Sequence, residues 1–361
     1  GNGLLESILT LDSLGNDVQL QEYNYTYKIS PDTVHAFHYS FHGSTPILYN
    51  YNIHWPVQAY SHTLNYMDRY NEYSANSYDD DCRLRNSETS VGNQHLTKTY
   101  HYADDRTDAV SQEMRSRHMV GMPVETYLST DKGIIRGQKN TYSLNEGKIV
   151  TSDEAILQTS VPLAANDCNG KFTQHVRYRN YTLGGNPMYV DNGIMGKVFL
   201  WSYADTYPVA EIDGITYGEV RRILSDGFIA ALTSASKPTK EQLATVRALQ
   251  NSLPHANVTT YTYDTARGMT SICSPNGVTQ KYEYDAGGKL ICVKNTAGKV
   301  QERYAYTFNK FQSGSPSSIT TITMLDDTGT GKLEKVQYFD GFGRPVQMAY
   351  NGVMLGKDGT N

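Results

Sequence analysis

The sequence lacks the features that mark a catalytic, membrane-spanning or nucleic-acid-binding protein. Lys and Arg number 32 against 37 Asp and Glu, a formal charge of −5, so there is no basic surplus for a nucleic acid. No apolar run approaches the roughly 18 residues that span a bilayer. The nucleophile-elbow, zinc-protease, phosphate-loop and dinucleotide motifs are all missing. We therefore predict neither an enzyme nor a cofactor.

Cysteine, tryptophan and phenylalanine are also scarce. The 361 residues include 4 Cys, with no Cys-x-x-Cys spacing, so the sequence predicts no metal site. Only 39% of the residues are hydrophobic, which favours a thin β architecture with wet faces over one thick core. The aromatic content is mostly tyrosine, with 29 Tyr against 9 Phe and 2 Trp.

The tyrosines recur with a fixed period near the C-terminal end. Tyr263-Asp264 is followed 21 residues later by Tyr284-Asp285. Tyr306 then stands 22 residues after Tyr284, accompanied by Tyr304 and followed by Thr307 where Asp would be expected. A period of about 20 residues is typical of a repeat architecture.

Each repeat predicts a β-hairpin that begins with a tyrosine-bearing strand. Tyr261 and Tyr263 are two residues apart, as are Tyr282 and Tyr284, so each pair points to one face of its strand. Tyrosine suits such a half-buried surface because its ring packs while its hydroxyl reaches water or a carbonyl. One hairpin cannot bury both of its faces, so stability should come from neighbouring units.

The turn of each hairpin is predicted from an aspartate and a glycine. The carboxylates of Asp264 and Asp285 can accept hydrogen bonds from the backbone two residues on and so start a turn. Gly268 and Gly288 can supply the positive φ of the reversal. Two carboxylates at matching repeat positions are better explained as turn caps than as an acid/base pair.

This pattern resembles the YD repeat of RHS proteins, teneurins and the cocoon components of bacterial ABC toxins. The stretch Tyr338–Gln347 adds the compact Asp-Gly-x-Gly-Arg-Pro variant of that family, through Asp340, Gly341, Gly343 and Arg344. The resemblance is strong over residues 258–350, moderate over 178–214 and weaker before. It implies a mainly β fold of stacked antiparallel YD hairpins that form a spiralling sheet or shell segment.

The resemblance also implies a function. The chain would be a structural segment of a large secreted or surface-displayed bacterial protein, part of a β-shell that encloses or displays a C-terminal effector or toxin domain. Its partners would be other YD/RHS repeats and the C-terminal domain of the same parent chain. The absence of an initiator Met and of a signal-like segment leads us to expect a fragment of a longer chain.

Four regions are predicted along the chain. Residues 1–98 form a tyrosine-rich β region with degenerate YD-like units, and 99–213 a degenerate RHS-like β region. Residues 214–257 form a helical insertion, and 258–361 carry the YD/RHS repeats. In the insertion, apolar residues at helical spacing predict one helix over Tyr217–Leu232, and Thr239 with Gln242 predicts the capping box of a second, ended by Pro254. The helices either cover a sheet or dock a partner.

Cys273 and Cys292 fall on the returning strands of two successive predicted hairpins, so they could be neighbours. Their offsets from the preceding glycines differ, since Cys273 is five residues from Gly268 and Cys292 four from Gly288. Both a disulfide and two separately buried thiols fit the sequence, and the offsets favour the thiols.

Two other clusters of side chains could be interpreted as metal sites. His35, His38 and His42, followed by His54 and His62, lie in a stretch whose alternating aromatics predict a strand. Residues four apart on a strand are separated by about 13 Å, so a solvated strand face is the better interpretation. The acidic run Tyr78–Asp81 lacks the spaced oxygen ligands and glycine of a calcium loop, and we predict an exposed loop.

A binding module is the alternative function. Tyr60, Tyr66 and Tyr70 crowd the least repeat-like part of the sequence, and exposed tyrosines can form flat platforms for glycans or surface proteins. The same three could instead fill a small N-terminal core. A glycan-cleaving enzyme would need two carboxylates at a characteristic separation, and the sequence nominates no such pair.

Overall fold

The computed structural model describes residues 4–38, 47–67, 69–308, 316–326, 328–341 and 343–352. The histidine prediction lies partly outside these residues, because His42 is not among them and the side chains of His35, His38 and His54 are not described. The chain divides into two compact units, Gly1–Tyr178 and Arg179–Asn361. The boundaries of the four predicted regions remain predictions.

The first unit is an antiparallel meander in which each strand pairs with its neighbours along the chain. A short helix, α1, begins after Asp108, whose carboxylate accepts from the Ser111 amide. Its buried Met114 packs with Ala103 and Val124 in a small core. The elements are β1 Ser7–Leu11, β2 Asp17–His38, β3 Ile47–Asn65, β4 Tyr70–Tyr78, β5 Leu84–Val91, β6 Gln94–His101, α1 Ala109–Ser116, β7 Glu125–Thr130, β8 Gly133–Asn145, β9 Lys148–Leu163 and β10 Gln174–Tyr181, which extends past the unit boundary.

The second unit is a second meander, interrupted by helices between its third and fourth strands. Together the strand pairings confirm the predicted fold class, a mainly antiparallel β chain. The elements are β11 Pro187–Asp191, β12 Gly196–Ser202, β13 Tyr207–Asp213, α2 Tyr217–Ile223, α3 Asp226–Ser234, α4 Lys240–Ser252, β14 Asn257–Asp264, β15 Gly268–Cys273, β16 Thr279–Tyr284, β17 Leu290–Lys294, β18 Val300–Thr307, β19 Ser317–Met324, β20 Lys332–Phe339 and β21 Pro345–Gly352.

The helical insertion contains three helices, so the prediction of a single helix over Tyr217–Leu232 is wrong. The chain is extended at Leu224, and the Ser225 hydroxyl accepts from the Phe228 amide to start a new helix. A local cap thus overrides an apolar periodicity that continues across the break. The predicted capping box of α4 is confirmed: the Thr239 hydroxyl accepts from the Gln242 amide at 3.1 Å, and the Gln242 side chain accepts from Thr239 at 2.8 Å.

The helices cover one face of the strands β12–β14. Their apolar sides form a continuous core with these strands, which is the cover predicted from the sequence. None of the helices in the described part of the chain has the length and apolarity to cross a membrane. The buried core residues include Val198, Leu200, Ile212, Val220, Leu232, Val246, Leu249 and Val258.

Candidate functional site: turns and tyrosine clasps

The turn after Tyr284 shows why the repeat carries an aspartate and a glycine. The Asp285 amide donates to the Lys289 carbonyl at 2.9 Å, and the Gly288 amide returns to the Asp285 carbonyl at 3.1 Å. One oxygen of the Asp285 carboxylate accepts from the Gly287 and Lys289 amides, both at 2.9 Å. Gly288 has φ +79°, a region that costs most other residues energy. The aspartate therefore holds both arms of the turn.

The same five-residue turn recurs along the chain. In every case the first amide donates to the carbonyl four residues on, and the fourth amide donates back to the first carbonyl. The fourth residue has positive φ, and only in the second copy is it not glycine but Cys82, at φ 62°. The copies begin at Asp12, Asp79, Thr182, Ser274, Asp285, Asn295 and Asp340.

The Asp264 turn is a variant of this arrangement. Its carboxylate accepts from the Ala266 amide at 2.9 Å, and the Arg267 amide donates to the Asp264 carbonyl at 3.1 Å. The positive φ has moved one residue later, to Gly268 at +122°, which pairs with Asp264 in the ladder. Gly268 lies four residues after Asp264 and Gly288 three residues after Asp285, so the two glycines occupy different positions of their turns.

Three tyrosines tie the strand after a turn to the following strand. The Tyr284 hydroxyl donates to the Met269 carbonyl at 2.7 Å, and the Tyr306 hydroxyl to the Leu290 carbonyl at 2.9 Å. In the first unit the Tyr102 hydroxyl donates to the Leu84 carbonyl at 2.8 Å. We call these three contacts tyrosine clasps. Tyr25 and Tyr78 donate in the same register to the Leu5 carbonyl at 3.0 Å and the Gln58 carbonyl at 2.9 Å, although no turn of this kind is described before either acceptor.

The three clasps have the same register. Each acceptor is the fifth residue after the first residue of a turn, counted from Asp264, Asp285 and Asp79. In each clasp the backbone ladder between the two strands ends with one pair of residues. One member of that pair lies two residues after the acceptor, and the other lies three residues before the tyrosine. These pairs are Ser271 with Lys281, Cys292 with Arg303, and Asn86 with Thr99. The hydroxyl thus reaches a carbonyl beyond the end of the backbone ladder and extends the strand contact towards the turn.

In the pairs that contain Tyr284 and Tyr306, the other tyrosine does not join strands. The Tyr282 hydroxyl donates to the Gln280 side chain at 3.1 Å, two residues back on the same strand. Tyr304 makes the equivalent contact with Glu302. Burial, with the nearby Glu302 carboxylate, raises the pKa of Tyr304 to about 12. The two tyrosines share a strand face, but only the second is a clasp.

Tyr261 and Tyr263 belong to the edge of the helix-covered core. The Tyr261 hydroxyl donates to the Glu211 carboxylate of β13 at 3.2 Å, and Tyr263 stacks on Tyr207 with 4.7 Å between ring centroids. Tyr203 meets the same ring edge-on at 5.6 Å, and its hydroxyl accepts from the Tyr263 amide at 2.9 Å. Burial raises the pKa of both Tyr261 and Tyr263 to about 12. An aromatic cluster replaces the clasp here.

The Tyr102 clasp is surrounded by charge. The guanidinium groups of Arg83 and Arg85 lie 5.3 and 5.0 Å from the centre of the Tyr102 ring. The Asp79 carboxylate accepts from both arginines at 2.9 Å, and Asp105 accepts from Arg85 at 2.6 Å. Ring and ions together fix the start of β5, where the clasp acceptor lies.

These contacts lower the pKa of two carboxyl groups. Burial alone would raise the pKa of Asp79, but the Arg83 amide and the charges of Arg83 and Arg85 outweigh it. For Asp105 the Tyr102 amide and Arg85 outweigh burial in the same way. The prediction of an exposed acidic loop is wrong for Asp79, whose side chain is 17% exposed, whereas Asp81, at 67%, is exposed as predicted.

The Asp340 turn carries the residues of the compact motif. The Asp340 carboxylate accepts from the Arg344 amide at 2.9 Å and from the Arg344 guanidinium at 2.7 Å. Gly343 has φ +77°, as the turn requires. Among the described residues other than its chain neighbours, none has an atom within 4 Å of where a Cβ on Gly341 would stand.

Tyr60, Tyr66 and Tyr70 do not form one platform. The register of β3 and β4 puts Tyr60 on one sheet face and Tyr70 on the other, where its hydroxyl donates to Glu72 at 2.6 Å. Tyr66 lies in the turn between the two strands. The sequence analysis missed Tyr73, which shares the Tyr60 face and stacks on His62 at 4.3 Å. Strand alternation is the sequence signal that could have found Tyr73. It shows that Tyr73 and Tyr60 share a face only once the register of β3 with β4 is known.

Cys273 and Cys292 are both buried free thiols. They are not on neighbouring strands, because β16 lies between β15 and β17. Two strand spacings amount to nearly 10 Å, beyond the reach of a disulfide. Burial raises the pKa of Cys292. Within the described residues, no group of three or more His, Cys, Asp or Glu side chains is arranged to hold a metal ion.

Comparison with known proteins shows distant structural likenesses. No protein-family model matches the sequence. No curated protein matches it either. Among solved structures, the chain is similar to part of a mutant Photorhabdus luminescens Tc holotoxin pore, with TM-score 0.38 and 10% identity over 96% of this chain and 18% of that chain.

Two crystal structures of a TcdB2-TccC3 assembly are also similar. The first has TM-score 0.28 and 12% identity, covering 94% of this chain and 20% of that chain. The second, without its hypervariable C-terminal region, has TM-score 0.32 and 9% identity, covering 96% and 22%. The chain therefore spans about a fifth of the length of the chains that it matches. The fold assignment rests on the strand pairing described above.

Proposed function

We propose that this chain is a wall segment of a larger bacterial YD/RHS-repeat protein, in which the sheet encloses or displays a C-terminal effector domain. In this proposal the chain acts by construction and not by catalysis, outside the cell or at its surface, and needs no cofactor. Its partners are further repeats and the C-terminal domain of the same parent chain. The observation that carries the proposal is the tyrosine clasp, which recurs in one register and at three places ties the strand after a turn to the next strand.

The sparse burial of the repeat hairpins supports the same proposal. Among the described residues after position 264, only four are buried, namely Cys273, Thr279, Cys292 and Val293. A sheet with so little core cannot be held together by apolar burial alone. Turn carboxylates and tyrosine hydroxyls instead provide a regular set of bonds that neighbouring units share, which suits a thin wall of any length.

The test is made on the intact parent protein. We expect electron microscopy to show a hollow β-shell with this chain in its wall, and limited proteolysis to leave the C-terminal domain uncut. The Tyr284→Phe/Tyr306→Phe double variant should expose that domain and speed its cleavage several-fold. The matched control is Tyr282→Phe/Tyr304→Phe, which removes only bonds within one strand. An open sheet, or a C-terminal domain cleaved equally fast in all three proteins, would contradict the proposal.

A surface for glycans or surface proteins is the second candidate, favoured by one observation. Tyr60 and Tyr73 are 46% and 51% exposed and lie on one face beside His62. The His62 ring is fixed by Glu22 at 3.1 Å and Asn71 at 2.6 Å, so the stacked pair is held in place. A glycan array tests it: binding that Tyr60→Ala or Tyr73→Ala removes and Tyr70→Ala retains supports this face, and no reproducible binding rejects it.

A further inference from the structure

β21 is the last described strand of the second unit, and on one of its edges no described strand pairs with it. β21 pairs with β20 along its whole length, from Pro345 opposite Phe339 to Gly352 opposite Leu333. No other strand in the described part of the chain pairs with β21. Its outer edge therefore presents a row of backbone N–H and C=O groups to any strand that approaches.

The side chains of β21 do not protect this edge. Residues 345–352 include no charged side chain. Val346, Met348 and Tyr350, on one face, are 59%, 51% and 65% exposed. Folded monomers usually guard an open edge with lysine, an internal proline, a bulge or a covering loop. Here the proline stands at the first position of the strand, where it leaves the rest of the edge free.

The turn before β21 is equivalent to the turn that precedes the acceptor strand of the Tyr306 clasp. Asp340–Arg344 repeats the backbone bonds of Asp285–Lys289, and in both hairpins the ladder shifts at the strand end before the turn. The fifth residue after Asp285 is Leu290, whose carbonyl accepts from Tyr306. The fifth residue after Asp340 is Pro345. β21 thus has the turn and the carbonyl of a clasp.

We infer that the open edge of β21 receives a further antiparallel strand of the Tyr-x-Tyr type. By the register of the three clasps, Gln347 is the last residue of β21 to form a backbone pair. In the incoming strand, the second tyrosine stands three residues after the residue that pairs with Gln347. Its hydroxyl donates to the Pro345 carbonyl. This inference rests on the proposed function, because it names the partner of the wall at this edge.

The test uses the whole chain and a peptide with the sequence of residues 300–307, VQERYAYT, the strand that clasps β17. Hydrogen exchange followed by NMR reports on the β21 amides. We expect the peptide to slow exchange at alternate β21 amides. A peptide with Tyr306→Phe should bind about fivefold more weakly, the factor for one hydrogen bond of about 1 kcal/mol, whereas one with Tyr304→Phe should bind like the parent peptide.

A chain variant completes the experiment. Met348→Glu places a carboxylate opposite Glu302 of the peptide and should weaken peptide binding by like-charge repulsion, while the melting temperature stays unchanged. The inference is overturned if the peptide protects no β21 amide, or if the two phenylalanine peptides bind alike. It is also overturned if β21 becomes protected with rising protein concentration alone, because the occupant would then be a second copy. A hollow parent shell together with a failed peptide rejects only this inference, whereas an open parent sheet rejects the proposed function whatever the peptide does.

Discussion

The helix-covered strands β12–β14 and the hairpins β15–β21 lie in one compact unit but are stabilised in different ways. The first region buries Val198, Leu200 and Ile212 completely or nearly so against three helices. The second buries few residues and relies on turn carboxylates and tyrosine hydroxyls. One sheet can therefore pass from stabilisation by apolar burial to stabilisation by regular hydrogen bonds within a few strands. The four predictions below test that contrast, from the largest expected effect to the smallest.

The largest effect should come from the core. Leu232 in α3 is fully buried, so Leu232→Ala removes apolar contacts and leaves a cavity. We expect the free energy of unfolding to fall by about 3 kcal/mol, measured by chemical denaturation. Leu183→Ala is the matched control, because Leu183 is 78% exposed, and it should change little. Equal effects of the two variants would show that the helices do not form a core with the sheet.

A turn carboxylate should contribute less to the free energy of unfolding than a core leucine. Asp285→Ala removes the acceptor of two backbone amides, those of Gly287 and Lys289. Because water can reach this exposed turn, we expect a loss of about 1.5 kcal/mol in the free energy of unfolding. Asp285→Asn keeps an acceptor oxygen and should lie close to the parent. If alanine and asparagine have the same effect, the side-chain bonds do not hold the turn.

A single clasp should contribute less to the free energy of unfolding than a turn carboxylate. Tyr284→Phe removes one hydroxyl and leaves the ring, so the Met269 carbonyl loses its donor. The expected loss is about 1 kcal/mol, measured by thermal and chemical denaturation. Tyr282→Phe, two residues away on the same strand, removes only a local bond and should be nearly neutral. The clasp is refuted as a stabilising contact if both variants unfold like the parent.

A fall in pH should destabilise the strands of the Tyr102 clasp slightly more than those of the other clasps. Folding lowers the pKa values of Asp79 and Asp105, so their contribution to stability is present above the unfolded value of about 4 and is lost as the pH falls through the folded values. We expect a loss below about 1 kcal/mol, since both groups are partly solvated. Hydrogen-exchange protection should fall in β5 and β6 while β17 and β18 keep theirs. Equal losses in both pairs would contradict the prediction.

The hairpins could be predicted from the sequence because their signals are local. Tyrosines at spacing two, an aspartate and a following glycine set strand, turn and reversal within a few residues. The capping box at Thr239 is local in the same sense. The break at Ser225 was missed because apolar spacing continues through it, and only the serine hydroxyl distinguishes two helices from one.

The clasps could not be predicted because they depend on register. Tyr282 and Tyr284 have the same residue type and the same strand face, so the sequence cannot tell which of them reaches a neighbouring strand. The same holds for Tyr60 and Tyr70, whose opposite faces follow from the pairing of β3 with β4. Asp79 looked like one acid of an exposed run because its two arginine partners become neighbours only once the turn has formed.

The strictly sequential pairing of strands has a consequence for how the chain can fold. Each clasp closes a loop of only 15 to 18 residues, and every ladder in the two meanders joins strands that follow one another along the chain. Such contacts have low sequence separation, so little chain entropy is lost before each is formed. The sheet can therefore grow by one hairpin at a time in the order in which the residues are synthesised, without waiting for a distant segment to arrive.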